Sequence, residues 1–115
     1  MAIKSYADET IVVELPPESD IRKELDTLMD ILKTGSGCDV IIDFARVNIV
    51  GSTSLAGFLQ LRKLMEELGR RLIFSNAATI TKDIFKLMCF DGIFEFVDDK
   101  SHALEIVTSA RSCTN

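Results

Sequence analysis

Three hydroxyl side chains stand side by side in the segment GSTSLAG, residues 51–57. Ser52, Thr53 and Ser54 follow the β-branched run VNIV and precede a leucine-rich stretch. Adjacent hydroxyls can supply a nucleophile, a phosphate-binding loop, a helix cap or a modification site. The spacing of the neighbouring residues helps to choose among these chemistries.

A serine hydrolase does not fit this segment. The G-x-S-x-G turn of α/β-hydrolases has a glycine two positions on each side of the serine, whereas Ser54 has Ser52 and Ala56 there. A serine nucleophile also needs a base, and His102 is the only histidine in the chain. The pattern places His102 at the start of the final helix, far along the chain from the hydroxyls.

The two glycines of the segment do not form a nucleotide-binding motif either. No lysine follows Gly57, as it would in G-x-x-x-x-G-K-[ST], and G-x-G-x-x-G is absent. No group of His, Cys or carboxylate residues has the spacing of a metal site or of an acid–base pair. The sequence therefore predicts a protein without enzymatic activity, cofactor or metal.

A purely structural role accounts for one of the three hydroxyls. Ser and Thr are favoured helix N-caps, because the side-chain oxygen accepts a hydrogen bond from a first-turn N–H. One such oxygen suffices for the cap. The other two remain unexplained, although small polar residues are common in exposed turns.

The alternative is a protein-docking site that phosphorylation can switch. A phosphate adds about −1.5 to −2 charges, and the unpaired N–H groups and dipole of a helix N-terminus accommodate an anion. A partner packed on this turn would then meet a hydrated anion, and a loss of about 3 kcal/mol weakens binding more than about a hundredfold. The predicted docking surface comprises Gly51, Ser52, Thr53 and Ser54, with Gln60 and Lys63 on its rim.

Strand-like and helix-like segments alternate along the chain. Runs rich in β-branched residues predict strands at 10–15, 38–44, 71–76 and 93–97, with a short strand end at 47–50. Apolar residues at spacings of three and four predict four helices. These begin at Ser19 or Asp20, at the hydroxyl segment, at 79 and at 99, and the second ends at Gly69. The predicted inward-facing residues are Ile21, Leu25, Leu28, Ile31, Leu32, Phe58, Leu59, Leu61, Met65, Leu68, Ile80, Ile84, Phe85, Leu87, Met88, Ala103, Leu104 and Val107.

This alternation predicts an α/β fold. Helical crossovers between successive strands give a mixed, largely parallel sheet of four to five strands flanked by four helices. With 115 residues, 47% of them hydrophobic, the chain is expected to form a single domain over 1–115. Its core spans about 10–108, and 109–115 is expected to be a flexible tail. Binding sites in such folds lie at the carboxyl ends of strands, where the hydroxyl segment also falls.

Composition indicates the cellular compartment of the protein and the classes of partner that it is unsuited to bind. A net charge of −5 works against binding to nucleic acid, whose affinity for proteins depends on clustered Lys and Arg. Cys38, Cys89 and Cys113 have the spacing of neither a disulfide framework nor a zinc site. No apolar run is long enough for membrane insertion, and the N-terminus has no signal-peptide core. We expect a cytoplasmic protein.

The chain resembles the STAS domain family over about residues 10–108. The family pattern is a hydrophobic strand, D-S-S-G-L-G or similar, a helix ending near glycine, another strand, a helix with a phenylalanine, and a final G-[LIF]-x-x-hydrophobic segment. The corresponding positions here are 40–44, 51–56, 68–69, 72–74, 85 and 92–96. The resemblance implies a non-enzymatic regulatory module, most similar to the bacterial anti-sigma factor antagonists.

In that branch, an anti-sigma factor with serine kinase activity phosphorylates a serine of the motif and binds only the unphosphorylated antagonist. The resemblance therefore implies such a kinase as partner, with Ser52 as phosphoacceptor and Thr53 as the alternative. This chain departs from the motif at Gly51, Ser54 and Ala56, which replace an aspartate and two glycines. Two other roles stay open: an unswitched scaffold subunit of a stressosome-like or transport-associated complex, and a domain that binds a nucleotide or lipid.

Overall fold

The computed structural model describes residues 3–5, 10–15, 21–34, 39–47, 50–87 and 94–113. Five strands and four helices lie in these ranges. In chain order they are β1 (Ile3–Ser5), β2 (Thr10–Glu14), α1 (Ile21–Thr34), β3 (Asp39–Asp43), α2 (Ser52–Leu68), β4 (Leu72–Ser75), α3 (Thr79–Leu87), β5 (Glu95–Val97) and α4 (Lys100–Cys113). This order confirms the predicted α/β fold.

The strands form one sheet in the order β1-β2-β3-β4-β5. Strands β2 to β5 are parallel, and β1 pairs with β2 in the antiparallel direction. The sheet is therefore mixed and largely parallel, as predicted. The edge strand β1 was not predicted, because its three residues Ile-Lys-Ser are too short a run to show a strand pattern.

Strand β3 lies at the centre, and all five of its residues are buried. Successive side chains of a strand point to opposite faces of the sheet. Val40 and Ile42 accordingly enter the larger hydrophobic core, whereas Ile41 enters a smaller core on the other face. The near-continuous apolar run between Asp39 and Asp43 is thus explained by burial on both sides.

The larger core lies between the sheet and helices α1, α2 and α3. Phenylalanine rings dominate it, with Phe74 of β4 at the centre. The centroid of the Phe74 ring lies 4.9–5.9 Å from those of its partners. These partners are Phe44, Phe58, Phe85, Phe94 and Phe96. Each such pair adds about 0.5–1.5 kcal/mol beyond the burial of its area.

The smaller core lies under α4 on the opposite face. Ala103 and Val107 pack there against Val12, Ile41 and Ile73. Both were predicted to face inward. Helix α4 continues to Cys113, so residues 109–113 of the expected tail 109–115 are helical.

Four predicted core residues are exposed instead. Ile31, Leu59, Ile80 and Leu87 have 37%, 36%, 54% and 82% of their surface exposed. Each lies to the side of the buried stripe of its helix; α3, for example, buries Thr81 and Phe85. Apolar spacing alone made these stripes too wide. Met88 lies outside the described residues.

The predicted short strand end at 47–50 is wrong for its two described residues. Val47 and Val50 lie outside every strand but are buried in the larger core. The N–H of Val47 donates to the carbonyl of Phe44 over 3.0 Å, which turns the chain back over the core. Their β-branched side chains therefore serve packing rather than a strand ladder.

Candidate functional site

The hydroxyl segment lies at the beginning of α2, after the carboxyl end of β3. Gly51 occupies the cap position with extended backbone angles (φ −86°, ψ 172°), and no side chain caps the helix there. Its carbonyl accepts the N–H of Leu55 over 3.0 Å. The expectation that one hydroxyl would cap α2 is therefore wrong, because Ser52 is already the first helical residue.

The three hydroxyl residues have different exposures. Ser52 and Thr53 are exposed, as predicted. Ser54 departs from the predicted docking surface, since only 4% of its surface is exposed. It begins the buried stripe of α2, which continues through Phe58, Leu61 and Met65 at helical spacing. We call residues 51–53, which comprise the half-buried Gly51 and the two exposed hydroxyl residues, the entrance turn.

The entrance turn has a positive electrostatic end. The first four N–H groups of a helix have no partner within the helix, and its dipole places about half a positive charge there. The first turn of α2 carries no acidic residue that would offset this charge. The surroundings thus favour a negative group on or near Ser52 and Thr53.

A buried aspartate, Asp43, accepts hydrogen bonds where the chain leaves β3 toward the entrance turn. Asp43 is 7% exposed. Its Oδ1 accepts the N–H of Ala45 over 3.0 Å and the side-chain amide of Asn76 over 2.9 Å. Asn76 follows β4 with φ 57°, a left-handed conformation that asparagine adopts more readily than most residues. The ends of β3 and β4 are therefore joined by side chains that the sequence analysis did not select.

The two predicted rim residues lie farther along α2. Gln60 and Lys63 are both exposed. The Oε1 atom of Gln60 accepts a hydrogen bond of 2.9 Å from Arg22 of α1. No local sequence pattern indicates this contact, because Arg22 lies 38 residues away along the chain.

A small hollow of about 160 Å³ lies at the carboxyl ends of β2 and β3. Its lining residues are Glu14, Leu15, Asp43, Ala45 and Arg46. Pockets for small molecules usually have at least about 300 Å³. This hollow is therefore too small for a nucleotide or a lipid.

His102 stands apart from the entrance turn. It is exposed at the start of α4, where its N–H donates to Oδ1 of Asp99 over 2.8 Å. Helix α4 covers one face of the sheet and α2 the other. The sheet therefore separates the only histidine from Ser54. A serine hydrolase needs its histidine within hydrogen-bond reach of the serine.

The described residues contain neither a metal-binding cluster nor a membrane-spanning helix. Among them, no three His, Cys, Asp or Glu side chains are grouped as a metal ion would require. None of the helices in the described ranges combines the length and the apolar character needed to cross a bilayer.

Comparison with known proteins identifies the family. The family model described as the STAS domain matches residues 18–103, well over half of the chain. The chain therefore belongs to the STAS domain family, as the resemblance of its motifs implied. A search of curated protein sequences finds no match.

Solved structures share this fold at low sequence identity. The anti-sigma factor antagonist SpoIIAA in its unphosphorylated form is 19% identical, with a TM-score of 0.68, and the match covers 95% of this chain and 96% of SpoIIAA. A chain of the stressosome, a signal integration and transduction hub, is 16% identical with a TM-score of 0.77, covering 95% and 97%. A sulfate transporter family protein from Wolinella succinogenes is 14% identical with a TM-score of 0.79, covering 91% and 89%.

Proposed function

We propose that this STAS domain is a cytoplasmic anti-sigma factor antagonist that captures an anti-sigma factor with serine kinase activity through the entrance turn of α2. One observation carries the proposal: Ser52 and Thr53 are exposed in the first turn of a helix whose cap residue offers no side-chain acceptor. Phosphorylation of Ser52, or alternatively of Thr53, then releases the partner.

The physical basis is a local change that leaves the core intact. Neither exposed residue belongs to the hydrophobic cores. A phosphate on this turn would be stabilised by the helix dipole, whereas a partner packed on it would have to desolvate the new charge. The domain stays folded while the complex loses affinity.

The test uses the purified protein, the serine kinase anti-sigma factor of the same organism, and MgATP. We expect one added phosphate in the intact mass, located at Ser52 or Thr53 by peptide fragmentation. Calorimetry should show that the unphosphorylated protein binds the kinase at least about a hundredfold more tightly than the phosphorylated protein.

Ser52→Ala and Thr53→Ala are matched controls, because each removes one exposed hydroxyl and leaves the other. The substitution at the true acceptor abolishes phosphorylation but preserves binding. A kinase that is active on another substrate but neither binds this protein nor phosphorylates it would contradict the proposal.

A second function is favoured by one residue. Gly51 stands where the family motif has an aspartate, so the charge beside the acceptor is missing. Its loss fits an unswitched scaffold subunit that stays bound in a larger complex. Stable association with the kinase without phosphate transfer to Ser52 or Thr53 would favour this function over the switch.

A further inference from the structure

Arg22, in the first turn of α1, bridges to the first turns of α2. Its Nη1 donates to the carbonyl oxygen of Thr53 over 3.3 Å, and its Nη2 donates to Oε1 of Gln60 over 2.9 Å. Its Nε donates to Oδ1 of Asp26, one turn farther along α1, over 3.2 Å. One guanidinium therefore contacts both the entrance turn and the predicted rim of the docking surface.

The contact depends on the missing side chain of Gly57. A Cβ atom at this position would lie 2.9 Å from Cδ1 of Leu25, and 3.2 and 3.3 Å from Nη1 and Cδ of Arg22. These distances are shorter than ordinary van der Waals contacts. The side chain of Arg22 can therefore approach α2 this closely because residue 57 is glycine.

The helical repeat distinguishes the two exposed hydroxyls. Thr53, Gly57 and Gln60 recur at spacings of four and three, so they share the face of α2 on which Arg22 lies. Ser52 is rotated from Thr53 by about 100° around the helix. Only Thr53 is therefore on the side of the guanidinium.

The present partners of Arg22 hold it weakly. Among the described residues, Arg22 has two neutral acceptors, on Thr53 and Gln60, and one carboxylate, on Asp26. The Asp26 side chain is 57% exposed, and solvent screening makes a surface ion pair of this kind weak. A phosphate or carboxylate that can accept two guanidinium hydrogen bonds is a stronger acceptor than a neutral amide.

We propose that Arg22 senses the charge of residue 53: an anion there draws the guanidinium away from Gln60 and so transmits the modification from α2 to α1. The proposal rests on the modification of the entrance turn put forward above. It makes the two hydroxyls unequal, because a charge on Ser52 acts on a docked partner alone, whereas a charge on Thr53 also changes the contact between the two helices.

The change would reach a groove between α1 and α2 with a volume of about 440 Å³. Gln60 and Asp26, two of the three partners of Arg22, lie in its lining. The complete lining is Asp26, Met29, Asp30, Lys33, Gln60, Lys63, Leu64 and Glu67. Movement of Arg22 would therefore alter a surface that extends away from the entrance turn.

The test measures the pKa of a carboxyl group introduced by Thr53→Glu, using carbon-detected NMR titration. An opposite charge nearby lowers a carboxyl pKa. We expect the introduced group to titrate about half a pH unit lower with Arg22 present than in the Thr53→Glu/Arg22→Met double variant. Lys23→Met is the control for net charge, since it removes an equal charge from the neighbouring exposed residue.

Ser52→Glu is the matched control for position. Its introduced carboxyl group should depend on Arg22 less than half as strongly as the group at 53. Equal dependence at both positions, or no dependence at 53, would overturn the proposal. Because no kinase is used, this result is independent of whether the protein is phosphorylated in its proposed function.

A second measurement keeps Arg22 in place, in case its removal unfolds the domain. The Nε–H resonance of Arg22 and the side-chain amide resonances of Gln60 are compared between Thr53→Glu and Thr53→Gln. We expect both sets to shift in the charged variant and to follow the titration of the introduced group. Identical spectra for the two residues in both variants would overturn the proposal.

Discussion

Strand β3 begins and ends with an aspartate, and the two residues are equally buried, each 7% exposed. Oδ1 of Asp39 accepts the backbone N–H of Arg71 over 3.0 Å and lies 3.2 Å from Nε of Arg70. Asp43 instead accepts the N–H of Ala45 and the side-chain amide of Asn76. Among the described contacts, the same residue type thus meets a charged guanidinium and a backbone N–H at one end of β3, but only neutral groups at the other.

The difference extends to the surroundings of each end. At the amino end, Arg71 also forms an ion pair of 2.8 Å with Glu95 of β5, and α2 ends nearby at Gly69 with a left-handed cap (φ 66°). At the carboxyl end, the chain leaves β3 and reaches the exposed entrance turn. Contacts at both ends therefore join neighbouring strands, but only the carboxyl end leads on to the turn that we propose as the binding surface.

Phe74→Ala should have the largest effect on the free energy of unfolding, because Phe74 packs in the core that both ends of β3 share. Truncation of a buried phenylalanine costs about 3–5 kcal/mol, and this side chain is fully buried. We expect that loss in the free energy of unfolding, measured by urea denaturation. Hydrogen exchange should accelerate at Val40 and at Phe44 together, while Phe74→Leu loses less. Faster exchange at one end alone would show that the ends are not stabilised by a common core.

Asp39→Ala and Asp43→Ala should each lower the free energy of unfolding by about 1–2 kcal/mol, since each leaves partly buried donors without an acceptor. The two variants should differ in binding. Asp43→Ala frees the turn that leads toward α2, so it should weaken partner binding beyond its effect on stability, whereas Asp39→Ala should not. Equal binding constants for the two variants, measured on the folded fraction, would remove the functional distinction between the ends.

Glu95→Gln should cost about 0.5 kcal/mol, because both side chains of its pair with Arg71 are substantially exposed. The hydrogen bonds that Arg71 donates to the Glu95 carboxylate raise the pKa of Arg71. Burial lowers this pKa by less, and the charges of Glu95 and Asp39 add to the increase. A raised pKa keeps the arginine charged, so its stabilising effect is present throughout neutral and mildly alkaline solution. The cost should therefore be the same at about pH 7 and about pH 9 and should shrink in high salt. A cost that changes between these two pH values would contradict this assignment.

Ser52→Ala and Thr53→Ala should have the smallest effect on stability. Both side chains are exposed and neither caps the helix, so the free energy of unfolding should change by less than about 0.5 kcal/mol. Ser54→Ala provides the contrast, because its side chain is buried. Thermal denaturation of the three variants would test this order. A large loss at Ser52 or Thr53 would indicate a structural role for the entrance turn.

The sequence was sufficient for most of the architecture. Each parallel strand and each helix appears as an apolar pattern with its own period, because β3 is buried on both faces and the helices on one. The motif around 51–56 also located the entrance turn. The limits of the apolar stripes could not be predicted, as Ile80 and Leu87 show, since apolar spacing does not reveal how much of a helix the sheet will cover.

The sequence by itself determined that three hydroxyls, Ser52 to Ser54, would stand where α2 begins, because a strand and an amphipathic helix must meet in a turn there. Only the tertiary structure decided that Ser54 faces the core and that Arg22 lies across Gly57. The burial of Ser54 depends on which face of α2 meets the sheet. The position of Arg22 depends on how closely α1 and α2 approach, and no local pattern records the distance between two helices that are far apart in the chain.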